Sequence, residues 1–254
     1  MLRSDKVDLG IRKAEKLDTG SSSFNSLLGG GLGTCAITDV YGAAATGKTQ
    51  FAFQNALYCS LSDSQSRKPQ VVFVDCAGSF RPERIAEMAE ARQLSSVSEI
   101  LDRITSVNVR SVSEQRETNE LILNSDMFTQ CKLLIVDDIT ANFSAEYPAD
   151  ADGREEVFVS RYYHLATYVR KLAYIALSRN MAVLLTNSVR SRLSERDQKI
   201  DQTEVETMGE IISEFALFRL SFTKRDRLRE AKIVQPFVRN DSTYFNIETK
   251  GIFP

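Results

Sequence analysis

Apolar residues along this chain fall into two rhythms that take turns from end to end. Continuous apolar runs at Val71-Val-Phe-Val74, Leu133-Leu-Ile-Val136 and Ala182-Val-Leu-Leu185 predict strands covered on both faces, since a half-exposed strand would alternate with polar residues. Cys35-Ala-Ile-Thr-Asp-Val-Tyr41 is β-prone and stops at a glycine. Helical patterns lie between these runs. Residues 21–28 predict a short helix that opens on capping serines and closes at Gly29-Gly30-Gly31. Gln50 to Leu61 is apolar on nearly every side, the pattern of a buried helix. Pro82 to Arg92 predicts a helix with proline in its first turn, and Leu121 to Phe128 the end of another. Phe158, Tyr162, Leu165, Val169, Leu172 and Ala176 step by four and three, marking one face of a long helix.

Strands alternating with helices predict an α/β fold with a doubly wound, mostly parallel sheet. After about residue 214 the pattern changes: Phe215 to Phe222, Ala231 to Val238 and Thr243 to Ile247 read as strands joined by short polar turns, an antiparallel C-terminal extension. No repeat, linker or low-complexity tract divides the chain. Residues 1–18, with five basic against four acidic side chains, read as a lead-in, and residues 19–254 as one domain.

Composition narrows the class. The 254 residues carry 32 basic and 34 acidic side chains, a net charge of −2, with 43% hydrophobic and 26% charged residues. That is the make-up of a soluble protein with one large core. No run approaches the about 20 apolar residues a membrane span needs, and the charged start predicts no secretory signal. Near-zero net charge argues against a polybasic nucleic-acid binder, though not against a local basic patch. Cys35, Cys59, Cys76 and Cys131 are widely spaced and His164 is the only histidine, so neither a zinc site nor a disulfide framework is expected and a cytoplasmic location is.

Chemistry enters at Gly42-Ala43-Ala44-Ala45-Thr46-Gly47-Lys48-Thr49, which fits GxxxxGK[ST] between a predicted strand and a predicted helix. In such a loop, glycines let backbone N–H groups turn inward on phosphate oxygens. Lys48 would reach the β- and γ-phosphates, Thr49 would ligate Mg²⁺, and the helix N-terminus adds its dipole. The second magnesium ligand is Asp137, at the end of the apolar run Leu133–Val136, where strand tips of a parallel sheet gather ligands. The expected cofactors are ATP and Mg²⁺.

Further residues carry a resemblance. Thr19-Gly-Ser with Leu27-Leu-Gly-Gly-Gly31, the P-loop ending in Gly-Lys-Thr-Gln50, Asp75-Cys-Ala-Gly-Ser-Phe-Arg-Pro-Glu-Arg84, Leu133–Asp137 and Leu184-Leu-Thr-Asn187 resemble the archaeal RadA recombinases and their eukaryotic strand-exchange counterparts. The likeness runs from about Lys16 to the end. It implies a RecA-like P-loop core, an ATP site at a subunit edge, Gln50 beside the nucleotide and Arg84 covering the adenine.

Four departures shape the expectation. The family places a glutamate where Ala77 stands; that carboxylate activates the water that attacks the γ-phosphate, and its loss costs about 10²–10⁴-fold in rate. Asp138 is the candidate substitute base, although neighbouring strand residues point to opposite faces. Ser188 stands where the family has a phosphate-sensing glutamine, and its side chain is shorter. The stretch 145–156, matching the first DNA loop, holds five acids against Arg154; the second, 190–207, holds four bases against five acids and no aromatic, a poor surface for phosphates or stacked bases. Finally, a core without the family's N-terminal DNA-binding domain is expected. Phe53-Gln-Asn-Ala56 matches the family's polymerisation motif by letters, but lies on the helix read as buried.

Nucleic-acid contact is therefore assigned to Arg190, Arg192, Lys224, Arg225, Arg227 and Arg229, the last four on a hairpin turn of net positive charge. The leading expectation is an archaeal RadA/RadB-like paralogue that binds ATP, hydrolyses it slowly or not at all, and assists a full-length RadA-type recombinase on single-stranded DNA in homologous recombination repair, assembling with itself or a partner through the core. The alternatives are an active DNA-dependent strand-exchange ATPase using Asp138, and a binding or signalling module on the same core with no nucleic-acid role.

Overall fold

A computed structural model describes residues 14–61, 70–94, 96–148, 154–191, 204–226, 228–237 and 241–253. In chain order the elements are β1 (Lys16–Leu17), α1 (Ser22–Leu27), β2 (Leu32–Gly33), β3 (Ala36–Gly42), α2 (Lys48–Leu61), β4 (Val71–Asp75), α3 (Pro82–Ala91), α4 (Val97–Asp102), β5 (Ile104–Asn108), α5 (Val112–Asn124), β6 (Leu133–Asp137), α6 (Ala141–Glu146), α7 (Arg154–Arg179), β7 (Ala182–Ser191), β8 (Glu204–Glu206), α8 (Gly209–Ser213), β9 (Ala216–Arg225), β10 (Leu228–Gln235), β11 (Ser242–Glu248) and β12 (Gly251–Phe253). The main sheet runs β12-β11-β10-β9-β3-β7-β6-β4-β5, with β8 beside β7; β1 and β2 form a separate pair.

The strands read as covered on both faces sit mid-sheet. Every residue of β4 and β6 is buried, and β3, β7, β6, β4 and β5 pair in parallel. Two cores flank them. On one side α2 and α3 pack with Phe53, Phe73 and Ile85, and on the other α5, α7 and α8 pack with Ile122, Leu165 and Ile212. Helix α2 buries even Gln54 and Asn55, in keeping with its nearly uniform apolar surface. Phe53 and Ala56 are among its buried residues, so the Phe-Gln-Asn-Ala string is core.

Several expectations are corrected. The strand over 215–222 is not antiparallel to the core: β9 lies parallel to β3, and the antiparallel extension starts only with β10. Such a pairing is set by a distant register that no local pattern encodes. Phe158 and Tyr162, read on one face with Leu165, Val169 and Leu172, are 50% and 38% exposed while those three are fully buried. Ser21 leads into α1 but makes no side-chain cap bond, its hydroxyl being taken by Ser23. Edge strand β5 was missed, since its half-exposed residues include too few apolar ones to register. The cysteines are all free, and no helix among the described residues is long and apolar enough to cross a membrane.

Candidate functional site

The parallel strands all end on one edge, and their tips hold the expected nucleotide machinery. Strand β3 closes at Gly42, where a Cβ would stand 2.2 Å from the Phe222 carbonyl oxygen of β9; only glycine lets the loop leave so close to its neighbour. At Gly47, with φ +111°, a Cβ would lie 2.9 Å from Ile247 of β11. The C-terminal hairpin thus roofs the P-loop, held there by a cluster of Phe24, Phe51, Phe222 and Phe245 with ring centroids 4.7–5.8 Å apart. Ala45 takes φ +62°, a conformation that strains any residue with a Cβ. Ala44 and Ala45 are exposed and Ala43 half-buried, while Thr46 braces the turn by donating its hydroxyl to the Ala43 carbonyl at 2.9 Å.

Lys48 bends back over this loop, its Nζ donating to the carbonyls of Gly42 at 2.7 Å and Ala43 at 3.0 Å. Thr49 donates its hydroxyl to Asp137 at 3.0 Å. The same buried carboxylate accepts hydroxyls from Ser79 at 2.6 Å and from Thr186. The carboxylate and hydroxyl expected to share a magnesium ion are therefore already in contact. Asp75, Asp137 and Asp138 also concentrate negative charge here: with burial, the larger effect, they push the Cys76 thiol well above its usual range. A hard oxygen-seeking cation suits that donor set, because Mg²⁺ asks for one or two protein oxygens plus phosphates and water. These residues fit a magnesium–nucleotide complex.

The cleaving side differs. Ala77 is exposed just beyond β4, where Asp75 organises the turn by accepting from the Ser79 and Phe80 amides at 2.9 and 3.0 Å. Its methyl accepts nothing. Asp138 turns away from Asp137's partners. One of its oxygens accepts from the Thr140 amide and hydroxyl, at 3.0 and 3.1 Å, and the other from Ser188 Oγ. Burial raises the Asp138 carboxyl above its usual value, and these bonds oppose the rise. Ser188 thus ties the tip of β7 to the tip of β6.

A buried polar chain missed from the sequence continues from there. Asn187 accepts from Thr140 at 2.7 Å and donates to Glu206 at 2.8 Å. Glu206 pairs with Arg219, whose Nε lies 3.1 Å from Asp39, its register partner on β3. Burial lifts the Asp39 carboxyl to about 6 against the pull of Arg219. The available signal is a lone acid inside β3 and a base, Arg219, amid the apolar first half of β9.

Arg84 donates from Nε to Gln50 at 2.9 Å and from its outer nitrogens to the Glu248 and Thr249 carbonyls, spanning α2 and the β11–β12 turn. Arg190, Lys224, Arg225 and Arg229 belong to β7, β9 and β10. Register places Ser188 and Phe222 beside Gly42, so Arg190, Lys224 and Arg225 extend past the same strand edge as the P-loop. Arg192 and Arg227 lie outside the described residues. Arg161 joins this basic edge: its guanidinium is lowered by burial first and then by Arg190. His164 lies between the Tyr147 and Tyr163 rings, at 5.6 and 5.5 Å. With the geometry in hand, comparison with known families adds one result: a model described as Rad51 matches residues 12–254.

Proposed function

The chain belongs to the Rad51 family of RecA-like recombinase cores, and on that premise we propose that it is a nucleotide-switched recombinase paralogue of the archaeal RadA/RadB kind, resident in the cytoplasm. Rad51-family proteins generally bind ATP with Mg²⁺, form oligomers and bind DNA. In this member, ATP serves as a structural and switching ligand with slow or absent hydrolysis, and the job is to assist a full-length recombinase on single-stranded DNA during repair. The observation that carries the reading is the pairing of a complete phosphate cradle with a methyl group at Ala77.

The residues divide the work accordingly. Lys48, now on the Gly42 and Ala43 carbonyls, would reach phosphate oxygens, and the loop's N–H groups would complete the cradle. Thr49 and Asp137 would hold Mg²⁺, which would neutralise charge on the triphosphate. Arg84 and Gln50 would flank the base. No carboxylate stands at position 77 to draw a proton from an attacking water, so the bound state persists. Arg190, Lys224, Arg225 and Arg229 would give the strand edge its affinity for phosphate backbones.

Co-purification with a full-length RadA-type recombinase on single-stranded DNA tests this. ATP and a non-hydrolysable analogue should support capture equally, and Lys48→Ala should abolish it. Capture that needs hydrolysis would contradict the switch, and failure of any gel shift at low salt, with or without ATP, would remove the DNA role.

A further inference from the structure

A second cleft lies on the face of the sheet opposite α2, between α5 and α7. It holds about 460 Å³ and is bounded by Arg116, Asn119, Glu120, Arg170, Lys171 and Tyr174. That size falls within the range of small-ligand sites.

Its floor and rim are unusual in complementary ways. Asn119 is 1% exposed, yet neither its amide nitrogen nor its amide oxygen has a hydrogen-bond partner. Burying such a group without partners is costly, and native chains rarely do so unless something pairs with it. At the rim Lys171 is held by Glu120 at 2.9 Å. Arg116 and Arg170, exposed on opposite helices, form no ion pair or hydrogen bond among the described residues. Two unneutralised guanidiniums facing one cleft suit a phosphate, which they bind through forked hydrogen bonds. Tyr174, 55% exposed, adds a ring face on the same wall.

We propose that this cleft is a second ligand site, distinct from the P-loop, for a nucleoside monophosphate. The phosphate lies between Arg116 and Arg170, and the base stacks on Tyr174. The base edge offers one donor and one acceptor to the Asn119 amide, the geometry by which asparagine reads adenine. Lys171, half-buried and with its Nζ 5.9 Å from the Tyr174 ring centroid, moves aside to admit the base, while Tyr174 stays as the stacking face. A divalent cation is a poor fit, with Glu120 the cleft's one carboxylate, and a purely apolar ligand would leave the amide and both guanidiniums unmet.

The test is AMP binding to the full chain by equilibrium dialysis, with the P-loop saturated by a non-hydrolysable ATP analogue and Mg²⁺. One AMP per chain is expected. Arg116→Glu with Arg170→Glu, both surface changes, should weaken it at least tenfold, and Asn119→Leu should weaken AMP while leaving inorganic phosphate unchanged. Lys48→Ala, tested without the analogue, should retain AMP. No AMP uptake beside a filled P-loop, loss of AMP in Lys48→Ala, or inorganic phosphate matching AMP in affinity would each overturn the assignment.

Discussion

At the tips of β3 and β6 the P-loop groups stand together: Lys48 on the loop carbonyls, and Thr49 against Asp137. Along the same edge, beyond β4, Ala77 presents only a methyl at the position we assign to water activation, and Asp138 has both oxygens occupied by Thr140 and Ser188. Holding and cutting draw on different chemistry. Holding uses backbone N–H groups, a fixed cation and metal ligands, which bind the triphosphate before any bond breaks; cutting also needs an acceptor for a proton that moves only during reaction. One can be lost while the other survives, which is how a RecA-like core can become a switch.

The sharpest way to break this contrast is to restore the missing group. Ala77→Glu should raise ATP hydrolysis by about 10²–10⁴-fold, measured as phosphate release under saturating Mg²⁺·ATP. No rise would show that position 77 is not what limits turnover.

Removing the base from the buried chain behind the site should have the next largest effect. Arg219→Leu leaves Asp39 and Glu206 uncompensated, at a cost of about 3–5 kcal/mol, read from the denaturation midpoint. A loss under 1 kcal/mol would mean that the chain does not bind β3 to the stem of the second loop.

Asp39 adds a pH dependence. A carboxyl lifted in the folded chain contributes stability below its unfolded value, and loses it as pH rises through the folded one. The stability of the wild type relative to Asp39→Asn should therefore fall between pH 3.8 and about 6. A flat difference across that window would contradict the burial argument.

Asp138→Ala separates the cutting hypotheses. Turnover should stay within about twofold, because the carboxylate braces β6 against β7 rather than a water, while losing its bonds lowers stability by about 1–3 kcal/mol. Abolished turnover would make Asp138 the base. The smallest effect is on the holding side: Ala45→Gly relieves the strain at φ +62° and should raise stability by up to about 1 kcal/mol, seen as a higher midpoint.

What the sequence discloses follows from how local each feature is. The P-loop and the Leu133–Asp137 strand are contiguous, and their chemistry depends on spacing within a few residues. The buried central strands announce themselves through unbroken apolar runs. By contrast, β9 beside β3 and the pairing of Asp39 with Arg219, 180 residues apart, exist only once the sheet has closed. Ser79 and Thr186 look like ordinary polar residues until strand tips bring their hydroxyls to Asp137. The exposure of Phe158 and Tyr162 is set by what other elements cover them, which a helical period cannot reveal.

The central claim is best tested in a single sample of wild-type chain with Mg²⁺ and ATP, following heat of binding and ADP formation together. Saturable uptake of about one ATP at the P-loop with ADP formed far more slowly than by an ordinary recombinase is the predicted result. Absence of uptake, or turnover at an ordinary recombinase's rate, would contradict it.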